Sequence, residues 1–213
     1  MSDVKRVSKR TQKAQETRAR ILKAAGELFV RDGYGATNLQ DVAELAGVAV
    51  QTIYFVFGNK RSLLKELVDV TIAGDDEPVA TMDRTWFREA MAAGSAAEHL
   101  SAHVRGTTAV LARVAPITKV LETAVAMDPE VAAEWPQTVD PRYVVQRAAA
   151  ESLMAKLGAR PDLSPESAAD VLYGVLSPEL YLLLAGKRGW PPERWEEWAR
   201  ETLAAQLLSD QGM

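Results

Sequence analysis

The chain contains no cysteine among its 213 residues. Disulfides, thiolate metal ligands and thiol nucleophiles are therefore excluded, and the composition suits a reducing compartment. Histidine is scarce as well: His99 and His103 are the 2 in the chain. They stand at i, i+4, but the glutamate of an HExxH pair is missing and no third ligand is evident. No metal site is expected, and both read as surface or pocket-rim side chains. No Gly-rich phosphate loop, nucleophile paired with a base, or paired-carboxylate signature occurs, so neither an enzyme nor a cofactor is expected. Residues 1–13 are charged and lack an apolar core, so no signal peptide is expected. The most apolar window, 171–185, is shorter than a bilayer span and holds Pro178 and Glu179. A membrane partner is not expected, and a cytoplasmic location is.

What is present is a chain with 47% apolar residues, enough for a substantial core without covalent staples. The net charge of −4 is unevenly spread. Residues 1–65 carry 12 Lys+Arg against 6 Asp+Glu, and the remainder carries 13 against 23. A basic head on an acidic body suits a head that meets polyanions, although a solvated basic tail produces the same count.

The pattern predicts an all-α protein with a basic, disordered arm over 1–14, a head over 15–75 and a larger body over 76–213. In the head, helices are expected at 15–32, from Thr37 to Ala46, at 49–57 and from Asn59 to Gly74. Gly33 stops the first. Thr37 is read as the cap of the second, with Gln40 completing a capping box. Gly47 then supplies a tight turn, with Val48 plugging the space between helices. Asp75-Asp76-Glu77-Pro78 reads as a solvated hinge rather than a cation site. Beyond it, helices are expected near 79–93, 96–113, 115–127, 129–135, 141–157, 165–176, 178–187 and 191–208. A start device recurs at Asp128-Pro129-Glu130, Ser164-Pro165-Glu166 and Ser177-Pro178-Glu179: a capping side chain, Pro at the first helical position, and an acid facing the positive helix end. Asp140-Pro141 shares its first two parts.

Two short helices about a glycine turn, over about 38–57, form the pattern of a helix-turn-helix, whose second helix enters the major groove of duplex DNA. In that helix Ile53 and Phe57 can pack inward, with Val50 at the margin, while Gln51, Thr52, Tyr54 and Phe55 point out. Gln suits a bidentate contact with adenine, and Thr approaches a thymine methyl or a phosphate. Tyr54 is read as a phosphate donor. Lys60 adds its charge to the free N–H groups at the start of the next helix.

Read at full length, residues 17–68 closely resemble the head of the TetR (tetracycline-repressor) family of bacterial regulators. The matching elements are Ala24-Ala25, Leu28-Phe29, Gly33-Tyr34, Thr37-Asn38, Asp41-Val42-Ala43, Ala46-Gly47-Val48, Thr52-Ile53-Tyr54, Phe57 and Asn59-Lys60 with Leu63. The resemblance places Thr37, Asn38, Tyr54 and Lys60 on phosphate-contacting positions, and Val50, Gln51, Thr52 and Phe55 on or beside base-facing ones. Three residues depart from the family pattern. Ala49 stands where a capping Ser or Thr is usual, Gln51 replaces a common Gly, and Val56 sits where His or Tyr is frequent.

In this family the body binds a small molecule and pairs two chains. A mostly apolar cavity can be lined by Trp86, Phe87, His103, Thr107, Met127, Trp135, Tyr143 and Met154, although each also fits plain core. A small apolar or amphipathic ligand is implied. The seam of a homodimer is expected from Val171, Leu172, Val175, Leu180 and Leu184, then Trp195, Trp198, Thr202, Leu203 and Gln206, as two helices per chain in a four-helix arrangement. The resemblance thus implies a homodimeric regulator, most often a repressor, released from a palindromic operator by ligand. The alternative is a DNA-binding module controlled by a protein partner.

Overall fold

The computed structural model describes residues 9–74, 80–135 and 140–209. Among these residues the structure is helical, with turns and one isolated bridge between Ala159 and Leu208. The all-α expectation holds. Residues 1–8, the 75–78 hinge and Pro136 lie outside the described residues. The chain forms two compact units, one from residues up to Val70 with Lys119–Trp135, the other from Thr71–Thr118 with the residues from Pro136 onward. The division differs from the one expected at 75/76, because residues 119–135 join the head.

In the first unit, α1 (Lys9–Asp32) begins six residues before the expected start, so residues 9–14 of the basic arm are helical. Its inner face is Ile21, Leu22, Ala24, Ala25, Leu28 and Phe29, all buried. Gly33 ends it at φ 85°, a left-handed conformation open to glycine. The cap of α2 (Leu39–Ala46) is Asn38, not Thr37: the Asn38 side chain accepts the Asp41 N–H at 2.9 Å. Thr37 instead is buried and donates its hydroxyl to the Gly33 carbonyl at 2.9 Å. Asn and Asp cap as well as Ser and better than Thr, so the residue one position on wins the cap. Gly47, at φ 65°, closes α2, and α3 (Val50–Phe57) follows with Ile53 and Phe57 buried. In α4 (Lys60–Ala73) the buried face is Leu63, Leu64, Leu67 and Val68, and the Asn59 side chain caps the helix by accepting the Ser62 N–H. Each large side chain so buried contributes about 1.5–3 kcal/mol of transfer free energy.

Beyond the head, a 3-10 turn (Thr81–Asp83) and α5 (Thr85–Ala92) replace the single helix expected over 79–93. The two helices expected over 96–113 and 115–127 are one, α6 (Ala96–Met127), with Pro116 inside it. A proline removes one helical N–H and normally costs about 3 kcal/mol. Buried Leu111, Ala115, Ile117 and Val120 on either side hold the helix through it. The four expected Pro-led starts all form. Asp128 caps α7 (Pro129–Glu134), Asp140 caps α8 (Pro141–Met154), Ser164 caps α9 (Pro165–Val175) and Ser177 caps α10 (Pro178–Tyr181), each accepting a backbone N–H.

The core of the second unit places Ala149, Ala150 and Leu153 of α8 with Ala168, Ala169 and Leu172 of α9. Alanines on both helices let the two backbones approach closely. The helix expected over 178–187 changes character at Leu182, where a π-helical turn (Leu182–Lys187) follows α10. The last helix, α11 (Pro192–Leu207), buries Trp195, Ala199, Leu203 and Leu207 at i, i+4 spacing. By length and composition the 23-residue stretch Pro165–Lys187 is apolar enough to cross a membrane. It is not one straight helix: Ser177 is extended, and Ala168, Ala169, Leu172 and Leu176 lie in the core.

Candidate nucleic-acid interface

The interface is built on α3. Because Ile53 and Phe57 take the inner face, Gln51, Tyr54 and Phe55 point outward, with Thr52 and Val50 half-buried at the margins. Phe55 is 91% exposed. A phenyl ring in that position adds nothing to the core, and with exposed Tyr54 and Val56 beside it the outer side of α3 carries a run of apolar surface rather than one stray side chain. Ala49 at the start of α3 makes no side-chain cap bond, as its lack of a hydroxyl requires. Asn38 is exposed at the start of α2. Thr37 is the departure: burial and its bond to the Gly33 carbonyl turn its hydroxyl away from any external partner.

The corner where α4 begins is more elaborate than a lone lysine at a helix end. Lys60 Nζ lies 4.3 Å from the centre of the Tyr34 ring, a cation–π contact. Burial holds the lysine below its ordinary pKa, with Asp128 acting against that shift, and burial pushes the Tyr34 hydroxyl up, with Asp128 reinforcing. Arg61 pairs with Asp128 at 3.8 Å and more closely with Glu130. Asp128 is also the cap of α7, accepting the Glu130 N–H at 3.0 Å. Tyr34, Gly35, Asn59, Lys60, Arg61, Met127 and Asp128 together line an open cleft of about 440 Å³. Tyr34, Arg61 and Asp128 were not among the expected site residues. Adjacent basic residues at a helix start were a visible signal; an acidic partner so distant in sequence was not.

Two residues assigned to a ligand cavity in the body belong to this unit instead. Met127 is 63% exposed and lines the cleft beside Gly35, and Trp135 ends α7. Charged neighbours at Lys60, Arg61 and Asp128 make the cleft a poor fit for an apolar ligand. The other six fall in the second unit. Trp86, Tyr143 and Met154 pack half-buried against its core, while Phe87, His103 and Thr107 are buried. His99 and His103 are not surface or rim residues; both are fully buried. Their helix turns them to the inside, beside Leu100 and Val104.

The expected dimer seam also divides. Leu172, Trp195 and Leu203 are fully buried within the chain and are excluded from an interface, because their faces of α9 and α11 already form the core. Val171, Val175, Leu180, Leu184, Trp198 and Thr202 remain half-buried and Gln206 exposed.

A capped helix, a left-handed glycine turn and a second short helix with an open outer face define a helix-turn-helix head on an all-helical protein. Residues 21–67, the helix-turn-helix head, match the family model of bacterial regulatory proteins, tetR family. The HTH-type transcriptional regulator TtgR of Pseudomonas putida is 46% identical over 63 residues, 30% of this chain and 30% of that protein. The match thus spans less than a third of this curated relative's length. Solved structures are similar along most of the chain. NalD, the secondary repressor of the MexAB-OprM multidrug efflux pump in Pseudomonas aeruginosa, superposes with a TM-score of 0.61 at 19% identity, covering 93% of this chain and 99% of that one. A protein from Saccharomonospora viridis in complex with choline gives 0.68 at 19% identity, covering 92% and 99%. At such identities the likeness establishes the fold. The curated relatives are named as transcriptional regulators, not as enzymes.

Proposed function

We propose that this protein is a homodimeric, cytoplasmic transcriptional regulator, a repressor that grips a palindromic operator through α3 and leaves it when a small apolar or amphipathic molecule binds the body. The observation that carries the reading is the outward face of α3, where Gln51, Tyr54 and Phe55 stand free while Ile53 and Phe57 anchor the helix. Gln51 suits adenine N6 and N7, Phe55 a thymine methyl, and Tyr54, Asn38 and Lys60 the phosphates that set register. Thr37 positions the turn before α2 from inside. A single head this small binds weakly, and pairing by two-fold symmetry sets two heads about 34–36 Å apart, one turn of DNA.

Ligand response is a coupling free energy between body and head, typically about 1–3 kcal/mol. Among the described residues, α4 and α6 each have residues in both units, which makes them the covalent routes for that coupling. Relatives named as regulators, a neighbour named as a repressor and another solved with choline support the reading.

The test is selection of bound duplexes from a random pool, followed by titration of the selected site with wild type and Phe55→Ala. Phe55 contributes no packing, so the variant keeps its melting temperature while affinity falls about tenfold or more. A variant that binds the selected duplex as tightly as wild type removes α3 as the reading helix.

A further inference from the structure

The rings of His99 and His103 stand one turn apart on α6, with centroids 6.2 Å apart, and both residues are fully buried. His103 Nε2 lies 2.8 Å from Gln146 Oε1. An amide oxygen only accepts, so Nε2 carries the proton and Nδ1 is left as a bare lone pair. Among the described residues no partner meets that Nδ1 or either nitrogen of His99. Both rings are neutral: burial, with help from His103 and Lys156, lowers His99 to about 3, and burial lowers His103. A neutral His99 offers one N–H and one lone pair. The pair therefore presents one unmet donor and two unmet acceptors inside the core.

Buried polar groups are almost always satisfied. Packing alone would be served better by Leu or Phe. Aromatic rings complete the setting. Trp86 lies 6.0 Å from His103, and Phe87 meets the same imidazole edge-on at 6.0 Å. Gly106 makes room for the indole, since a Cβ there would come within 2.0 Å of it. Trp86 is half-buried where Phe87 is buried, so of the two rings it is the one that reaches solvent.

We infer that His99 and His103 form the polar floor of a small-molecule site that takes an uncharged cyclic compound bearing a hydroxyl or N–H group. The ligand donates to His103 Nδ1, accepts from the His99 N–H and packs its ring against Trp86 and Phe87. A cationic ligand is opposed by the charge of Lys156, and an anionic one meets the bare lone pairs of the two neutral rings, while the Lys156 ammonium is already held by the Met91 and Ala93 carbonyls. The inference rests on the ligand-responsive reading above and names the chemistry of its ligand.

The 2 histidines make the test direct. Full-length protein with 15N-labelled imidazoles is titrated with 2-naphthol, 2-naphthoate and naphthyltrimethylammonium at millimolar concentration. Naphthol should move the His103 Nδ1 and His99 resonances, and the two charged probes should leave them in place. In calorimetry, His99→Phe and His103→Phe should each weaken naphthol binding about 3- to 10-fold, the worth of one neutral hydrogen bond. Equal or stronger binding of either charged probe overturns the assignment of ligand class. Unmoved imidazole resonances with all three probes overturn the site, leaving internal water as the partner of these nitrogens. Operator binding is followed in parallel. Naphthol that moves the imidazoles without releasing DNA leaves the site standing and rejects ligand-driven release. A compound that releases DNA with the imidazoles unmoved does the reverse.

Discussion

Lys60 rests its ammonium 4.3 Å from the centre of the Tyr34 ring, and that contact aims a charge at the start of α4. Tyr34, Lys60 and the first residues of α4 line the same cleft, so one anionic group bound there can be met by both the ammonium and the helix start. Lys60→Ala should lower affinity for specific and random duplex by a similar factor, and flatten the dependence of log K on log salt by about one unit. Titrations at several salt concentrations check this; an unchanged slope removes Lys60 from the phosphate contacts.

Asp128 sets a negative charge at the same corner. It shares Arg61 with Glu130 and faces Lys60, so it opposes an incoming phosphate. Asp128→Asn keeps a capping side chain of equal quality while removing the charge. Affinity for duplex should rise roughly 2- to 5-fold at about 0.1 M salt, and the gain should vanish in high salt. The stability change should stay below about 1 kcal/mol, since the pair is partly solvated. Unaltered or reduced DNA affinity in this variant would show that the acid does not compete with phosphate.

What was legible in the sequence was local. Gly33 and Gly47 take left-handed conformations at the two expected helix ends, and Asp128, Asp140, Ser164 and Ser177 cap the expected Pro-led helices. The inner face of α3, Ile53 and Phe57, follows from spacing alone. What escaped were pairings between positions distant in the chain. Nothing near Arg61 announces Asp128 and Glu130, and nothing near Lys60 announces that it lies over Tyr34. His99 and His103 sit among Glu98, Ser101 and Arg105, which disguise the inner face of α6 as a solvated one. Leu172, Trp195 and Leu203 carry the same apolar signal as an interface, because a core and a dimer seam select the same residues.

The buried histidines make stability depend on pH. His99 titrates at about 3 in the folded chain, against an ordinary value of 6.5, and His103 is shifted the same way. A depressed folded value means that the unfolded chain binds the proton first. The stability is thus complete above about pH 6.5 and is lost as pH falls below it. Between about pH 7 and 5.5, His99 alone should remove about 1 kcal/mol, with His103 adding in the same direction. Urea titrations across that range should show the loss, and His99→Phe should flatten it. An equally steep loss in the variant would assign the effect to other groups.

Splitting the apolar face of α9 to α11 into an inner and an outer row separates two properties that one mutation often confuses. Leu203 is fully buried in the chain's own core, so Leu203→Ala should cost about 2–5 kcal/mol of stability. Leu184 is half-buried on the outer row, beside exposed Leu183. If that row pairs two chains, Leu184→Glu places like charges in the seam and should yield a folded monomer, read by sedimentation. Its DNA affinity should drop more than tenfold because the second head no longer adds its contacts. A Leu184→Glu chain that sediments as a dimer would move the seam off this face, and a monomer that still binds duplex at wild-type affinity would detach pairing from DNA recognition.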